Sequence, residues 1–356
     1  MSTIATDHTA PADPQARLAR GLPAATQYLA KRLGFYLVTA VFAVILNFAI
    51  PRFMPGDPGA LMARQIQQQT GAPPSLETVK ALHALYGDPH KNLVGQFIDY
   101  ITEVAHFDFG LSTTQYPTPV GQLVMQALPW TLILVSITTI VAWIIGTLLG
   151  AWTGSRPGSR PDTWLTAGST FLNALPAFWL AILALGLFSF KLHWVPSSGG
   201  YDANVPFSLN NIWFLLSTLK YGALPAATIV VIGFSGWLFT MRNVMVTTVS
   251  EDYVQLARAK GLSGRTVMLR YAARNALLPN VTGLAHAIGG VIGGVVLTEI
   301  VFTYPGMGFL LFQSVSTHDF PVMQAIFLMI TLAVLVSNFI ADSLYVLLDP
   351  RTREEA

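Results

Sequence analysis

Six stretches of this chain are continuously apolar enough for a helix to cross lipid, and polar or turn-forming residues separate them. They cover 33–50, 127–151, 163–190, 221–241, 280–301 and 320–348. Crossing the hydrocarbon layer takes about 20 residues of helix. The first stretch is barely long enough, and Asp342 interrupts the last. Lipid offers the backbone no hydrogen-bond partner, so every one of these stretches must be helical. The pattern predicts an all-α integral membrane protein with six transmembrane helices.

Composition agrees. The chain is 53% hydrophobic and only 11% charged, whereas a soluble domain carries about 25% charged residues. Of its 20 lysines and arginines, fourteen fall on the side that holds the N-terminus, 154–162, 242–274 and the C-terminus. The six others, Arg52, Arg64, Lys80, Lys91, Lys191 and Lys220, fall on the opposite side. That bias places both termini in the cytoplasm. Residues 1–30 read as a polar, disordered cytoplasmic tail with no apolar core of a signal peptide. Residues 52–126 become a long first extracytoplasmic loop. It carries an amphipathic helix over 76–86 that ends at Gly87, a second helix over 89–105, and a loose polar insertion over 64–74. The loops around 196–211 and 304–320 are rich in Gly, Pro, Ser and Asn and read as irregular.

The segment that matters most lies between two apolar runs: Glu251-Asp-Tyr-Val-Gln-Leu-Ala-Arg-Ala-Lys-Gly-Leu-Ser-Gly-Arg265, continuing through Arg270 and Arg274 to Leu278-Pro279. It reads as helix, sharp turn, helix on the basic, cytoplasmic side. Ser250 suits the N-cap, and Glu251 and Asp252 suit the positive end of the helix. Gly261 suits the C-cap, because glycine enters a left-handed conformation without steric cost. A protruding turn tethered by spans is a surface that a soluble motor subunit can push on. A basic helix-Gly-helix also resembles a DNA-binding module, but tethering at both ends blocks docking in a groove, and the net charge of +2 is small for such a partner.

Chemistry is absent where an enzyme would need it. No lysine is followed by Ser or Thr, so the chain has no phosphate loop of the Walker type. There is no cysteine, no His-x-x-x-His pair and no carboxylate cluster with metal-ligand spacing. No catalytic residue, cofactor or metal ligand is expected on this chain, and any ATP hydrolysis falls to a partner. Glu299 and Asp342 read as the carboxylates within or near spans, and buried ionisable groups mark function by default. Asp342 lies one turn from Asn338, and the two form a candidate structural polar pair that bonds a neighbouring helix. Glu299 is a candidate for the translocation path or for contact with a delivery protein. Gly289, Gly290, Gly293 and Gly294, like Gly146 and Gly150, have the spacing that lets helices approach closely. Plain packing and a pore wall are both open for them. His286 reads as a packed, hydrogen-bonded residue. Trp130, Trp143, Trp164, Trp179, Trp194, Trp213 and Trp237 read as interfacial anchors and packing residues.

These residues resemble a known family. The chain is similar to a permease subunit of the dipeptide/oligopeptide/nickel branch of ATP-binding-cassette importers. Ala257-Arg-Ala-Lys-Gly-Leu-Ser263 and Arg274-Asn-Ala-Leu-Leu-Pro279 carry the resemblance. So do Met54-Pro-Gly-Asp-Pro58, Asp108-Phe-Gly110, Glu299 with Tyr304-Pro-Gly-Met-Gly308, and Asp349-Pro-Arg351. One departure is Gln255-Leu256-Ala257, where the general importer motif begins Glu-Ala-Ala.

The resemblance implies a type I importer permease fold over 31–351, with an ATPase-docking loop at 245–279. Residues 257–264 would form a coupling helix seated in a cleft of an ATPase subunit. The coupling residues would be Glu251, Ala257, Arg258, Lys260, Gly261, Leu262, Ser263 and Gly264, while Gly290, Gly294 and Glu299 would line the path or meet the binding protein. The implied partners are a second homologous permease, two ATPase subunits that bind ATP and Mg, an extracytoplasmic solute-binding protein and membrane lipid, in a bacterial cytoplasmic membrane. The implied cargo is a di- or oligopeptide, with oligosaccharide or nickel as alternatives. A secondary transporter or channel, the alternative of a different class, would show inverted repeats and intramembrane ion ligands.

Overall fold

The computed structural model describes residues 14–52, 63, 64, 66–68, 70–80 and 91–348; within these, the side-chain surroundings of 14–28, 50–52, 285, 286, 288–294 and 344–348 are outside the description. Helix α1, Pro14–Arg52, opens inside the stretch expected to be a disordered tail. Proline suits a first helical turn, where its missing N–H is no loss. Helix α2, Leu93–Ala105, begins later than expected because Asn92 caps it, its Oδ1 accepting from the Gly95 amide at 2.8 Å. The 76–86 helix is described only over 76–80.

Helices α3, Val120–Gly154, and α6, Ile212–Val249, are the long pillars. At 1.5 Å per residue they measure about 52 and about 57 Å, longer than an apolar layer of about 30 Å requires. Between them the expected single span over 163–190 is broken. Helix α4, Arg160–Ala174, meets α5, Ala177–Ala184, at Leu175-Pro176. The two axes differ by 97°, counting the π-helical continuation of α5 over Leu185–Lys191. Pro176 has no amide proton and forces the residue before it out of the helical region; Leu175 accordingly sits at φ −81°, ψ 132°. The expected span over 280–301 is likewise divided, at Val295, into α8, Ala273–Gly294, and α9, Val296–Val301. The 304–320 loop is not irregular: it holds α10, Met307–Ser316. Helix α11, Phe320–Leu348, closes the bundle against α8 and α1. Among the described residues, four helices are long and apolar enough to cross a membrane, and α4 with α5 makes a fifth if taken as one broken span.

The tightest seam joins α3 to α6. Gly146, Gly150 and Gly154 line up one turn apart on the face of α3 that meets α6. A Cβ on Gly150 would stand 2.5 Å from the Leu238 carbonyl oxygen and 2.8 Å from Met241 Cβ. One on Gly154 would stand 2.5 Å from Met245 Cβ. Helices associate in lipid by backbone proximity and dispersion rather than by water exclusion, and these glycines permit that proximity. Helices α1 and α11 use polar clasps instead. Asn47 Nδ2 donates to the Gln324 carbonyl at 3.1 Å, and Gln324 Nε2 donates back to the Asn47 carbonyl at 2.8 Å.

Gly150→Val should therefore cost about 1–3 kcal/mol by overpacking, whereas Gly236→Ala, whose Cβ would meet nothing within 4 Å, should leave stability unchanged or slightly raised. Thermal unfolding of the detergent-solubilised variants distinguishes the two; equal midpoints would refute the seam.

Candidate functional site

The basic elbow folds as helix, turn and helix, with its boundaries shifted. Helix α7, Asp252–Ala259, follows α6 almost at once. Ser250 is not its N-cap: α6 continues through Val249, Ser250 stays helical at its end, and its Oγ bonds back to the Thr247 carbonyl at 2.6 Å. Glu251 is the residue with extended dihedrals at the start of α7, and its side chain makes no capping bond. Asp252 in the first turn and Arg258 in the last complement the helix dipole. The turn is a Schellman closure. Gly261 takes φ +76°, its amide bonds to the Arg258 carbonyl at 2.9 Å, and the Leu262 amide bonds to the Ala257 carbonyl at 3.4 Å. Helix was expected over 257–264, but it ends at Ala259 because this closure consumes Lys260–Leu262. Ser263 then caps the next turn, Gly264–Thr266, by accepting from the Thr266 amide at 3.3 Å. A π-helical turn, Val267–Ala272, leads into α8.

The elbow has two faces. Val254 and Ala257 are buried, and they join Met241 and Met245 of α6 and Val267, Ala272 and Ala276 in one apolar cluster. Tyr253, Leu256 and Leu262 are exposed, as are Glu251, Arg258, Lys260, Gly261, Ser263 and Gly264. Asn275 Nδ2 braces the Tyr253 hydroxyl at 2.9 Å. Ala257 is thus part of the anchor, and the exposed surface is carried by Leu256, Leu262 and the basic side chains.

Glu299 lies at the other end of the bundle and is 0% exposed. Its Oε1 accepts from Thr131 Oγ1 at 2.7 Å and its Oε2 from the Gly308 amide at 2.7 Å. Thr131 Oγ1 in turn accepts from the Met307 amide at 2.8 Å. Amides at the start of α10 have no partner within their own helix. The carboxylate and the hydroxyl supply partners, and the helix dipole favours the negative charge. This explains Tyr304-Pro-Gly-Met-Gly308. A Cβ on Gly306 would overlap the Glu299 carboxylate, and one on Gly308 would stand 2.6 Å from Val296 Cα. Above the cradle, Trp130 stacks on Tyr201 at 6.0 Å and meets Tyr304 edge-on at 5.6 Å, so the 196–211 loop is tied down by aromatic contact.

Asp342 bonds a neighbouring helix, α1: the Tyr36 hydroxyl donates to Oδ2 at 2.7 Å and Arg32 lies 3.3 Å away. Asn338 is half-buried on α11. Gly290 and Gly294 lie in the last part of α8, where side-chain surroundings are not described, as are those of His286. Met54–Pro58, Gly87 and Asp349–Arg351 lie outside the described residues.

Two further carboxylates near helix ends are buried, contrary to the expectation that Glu299 and Asp342 stand alone. Asp162 takes both Arg242 Nε and Nη2, the latter at 2.8 Å, and the Gly158 amide at 2.9 Å. Asp319 accepts from Ser112 Oγ and from the Thr113 and Thr114 amides at 3.3 and 3.0 Å. Asp319-Phe-Pro is a helix-start pattern, so that signal was present. Asn280 was not foreseeable: it is buried on α8, with Nδ2 donating to Thr147 Oγ1 at 2.9 Å and its main-chain carbonyl accepting from Trp143 Nε1 at 3.1 Å.

The family of binding-protein-dependent transport system inner membrane components matches over residues 146–354. The oligopeptide transport system permease protein AppB of Bacillus subtilis is 32% identical over 324 residues, covering 91% of this chain and 98% of its own. The di/tripeptide transport system permease protein DppB of Pseudomonas aeruginosa is 32% identical over 342 residues, covering 92% and 99%.

Glu299→Gln should cost about 1.5–3 kcal/mol, the range for a hydrogen bond to a charged group, and Gly308→Ala should cost a comparable amount by collision. Thermal unfolding of each variant in detergent checks this; an unfolding midpoint equal to the parent's in both would show that the cradle does not hold α10.

Proposed function

The chain belongs to the inner membrane components of binding-protein-dependent transport systems, and on that premise we propose that it is the permease subunit of an ATP-driven importer of di- or oligopeptides. The observation that carries the mechanism is the two-faced elbow. Its outer face, with Leu256, Leu262, Arg258 and Lys260, offers an apolar and basic surface to an ATPase subunit. Its inner face keys Val254 and Ala257 into the protruding end of α6 and the start of α8. A push on the outer face therefore moves two membrane helices together instead of bending a loop.

Six passes with both termini in the cytoplasm complete the reading, with the α4–α5 pair as one broken pass and α8 with α9 as another. A solute-binding protein delivers cargo to the outer loops, and a second homologous permease supplies the rest of the path wall. Two ATPase subunits bind ATP and Mg, and their closure drives the elbow in a bacterial cytoplasmic membrane. Net import requires that ATP and the loaded binding protein favour different facing states, because a ligand with equal affinity for both shifts nothing. The peptide cargo is supported by the names of the relatives; oligosaccharide or nickel would leave the architecture unchanged.

Gly261 provides the test. A Cβ there would meet nothing within 4 Å, so the cost of Gly261→Ala is backbone strain alone, about 1–2 kcal/mol. Membrane insertion and thermal stability should change little. ATP-dependent peptide uptake by proteoliposomes containing both permeases, the ATPases and the binding protein should fall several-fold. Full uptake in Gly261→Ala would remove the coupling role, and uptake driven by an ion gradient without ATPase subunits would overturn the importer reading.

A further inference from the structure

Between the end of α3 and the base of the elbow lies a cavity of about 470 Å³. Arg156, Arg258 and Arg265 line it together with Trp152, and Val267 and Met268 give it an apolar floor. Among the described residues no carboxylate is within ion-pair distance of these three guanidinium groups. The contrast with Arg242, gripped by Asp162 in the same region of the fold, is plain. Three like charges around one hollow repel each other, and an anion between them reverses the sign of that interaction. Guanidinium groups bind phosphate in a forked, two-bond geometry.

A second feature points to the source of the anion. Ile144, Ile145, Leu148 and Trp152 of α3 form an exposed apolar stripe at helical spacing, with Leu148 64% and Trp152 46% exposed. The stripe runs down α3 and ends at Trp152, which is itself a wall of the cavity. Tryptophan favours the headgroup level of a bilayer, so charge and apolar track meet where a phospholipid changes from headgroup to chain. A soluble phosphate would engage the arginines alone, whereas a phospholipid engages the arginines and the apolar track that ends among them.

We propose that this cavity is a headgroup site for an anionic phospholipid, with the phosphate held by Arg156 and Arg265 and an acyl chain lying along the exposed stripe of α3. Arg258 closes the rim shared with the elbow's outer face. The bound lipid would tie the end of α3 to the turn that leads into α8, on the side where basic residues concentrate. The site adjoins the docking surface but does not rest on the transport reading.

The test uses the full chain in nanodiscs of phosphatidylcholine with or without phosphatidylglycerol, followed by native mass spectrometry after release. Phosphatidylglycerol should be retained in preference to phosphatidylcholine. Arg156→Gln and Arg265→Gln should each lower retention by about fivefold, the factor one basic side chain contributes near an anionic surface. Arg156→Lys and Arg265→Lys keep the charge and should retain the lipid, which separates loss of charge from misfolding. Lys191→Gln, on the opposite side, should change nothing. The proposal fails if the Arg156→Gln/Arg265→Gln double variant retains phosphatidylglycerol as the parent does, or if both lipids are retained equally. It also fails if inorganic phosphate displaces the lipid, which would mark a soluble-anion site, or if added ATPase subunits expel it, which would assign the arginines to a protein partner.

Discussion

Helix ends and helix breaks are the points at which this bundle is exposed to failure, because in lipid an unpaired amide or carbonyl has no water to turn to. The structure answers with buried polar side chains placed at those points. Glu299 and Thr131 take up amides at the start of α10. Asp319 holds the start of α11 and the Ser112–Thr114 backbone together. Asp162 secures the 158–162 turn and the flank of α6 through Arg242. Each joins segments distant in sequence, so capping a helix and fixing the tertiary arrangement are one act.

Between those fixed points the long helices pack by close approach. The α3–α6 seam brings backbone to backbone along Gly146, Gly150 and Gly154, and Asn280 adds α8 to it through Thr147 and Trp143. A close-packed seam of this kind slides or rocks as a unit rather than bending, since packed interiors deform little. The elbow is fastened to this same block through Met241, Met245 and Ala276. On the proposed function, a push on the elbow would reach the membrane helices with few soft joints between.

Much of this was readable before any coordinates. The apolar runs mark the helices, and Gly261 announces the turn at which a left-handed residue was needed. Gly146 and Gly150 carried the spacing of the seam, though not its partner. Other features were hidden for definite reasons. Ser250 looks like a cap by residue type, yet the preceding helix runs through it, and only the extent of α6 decides that. Residues 304–320 look irregular because glycine and proline crowd their start; the helix that follows exists because a carboxylate from another element completes it. The break at Pro176 was in plain view as a proline, but its 97° consequence depends on how the two halves pack.

By itself the sequence determined that this is a lipid-embedded helical protein with a tethered basic elbow, since hydropathy, helix period and the glycine turn are local properties that each short segment carries alone. Tertiary structure alone decided what the buried charges do. Whether Glu299, Asp162, Asp319 and Asp342 meet solvent, a ligand or another helix depends on partners up to 306 residues away. No local pattern encodes such a pairing; it is set when helices distant in sequence are brought into contact.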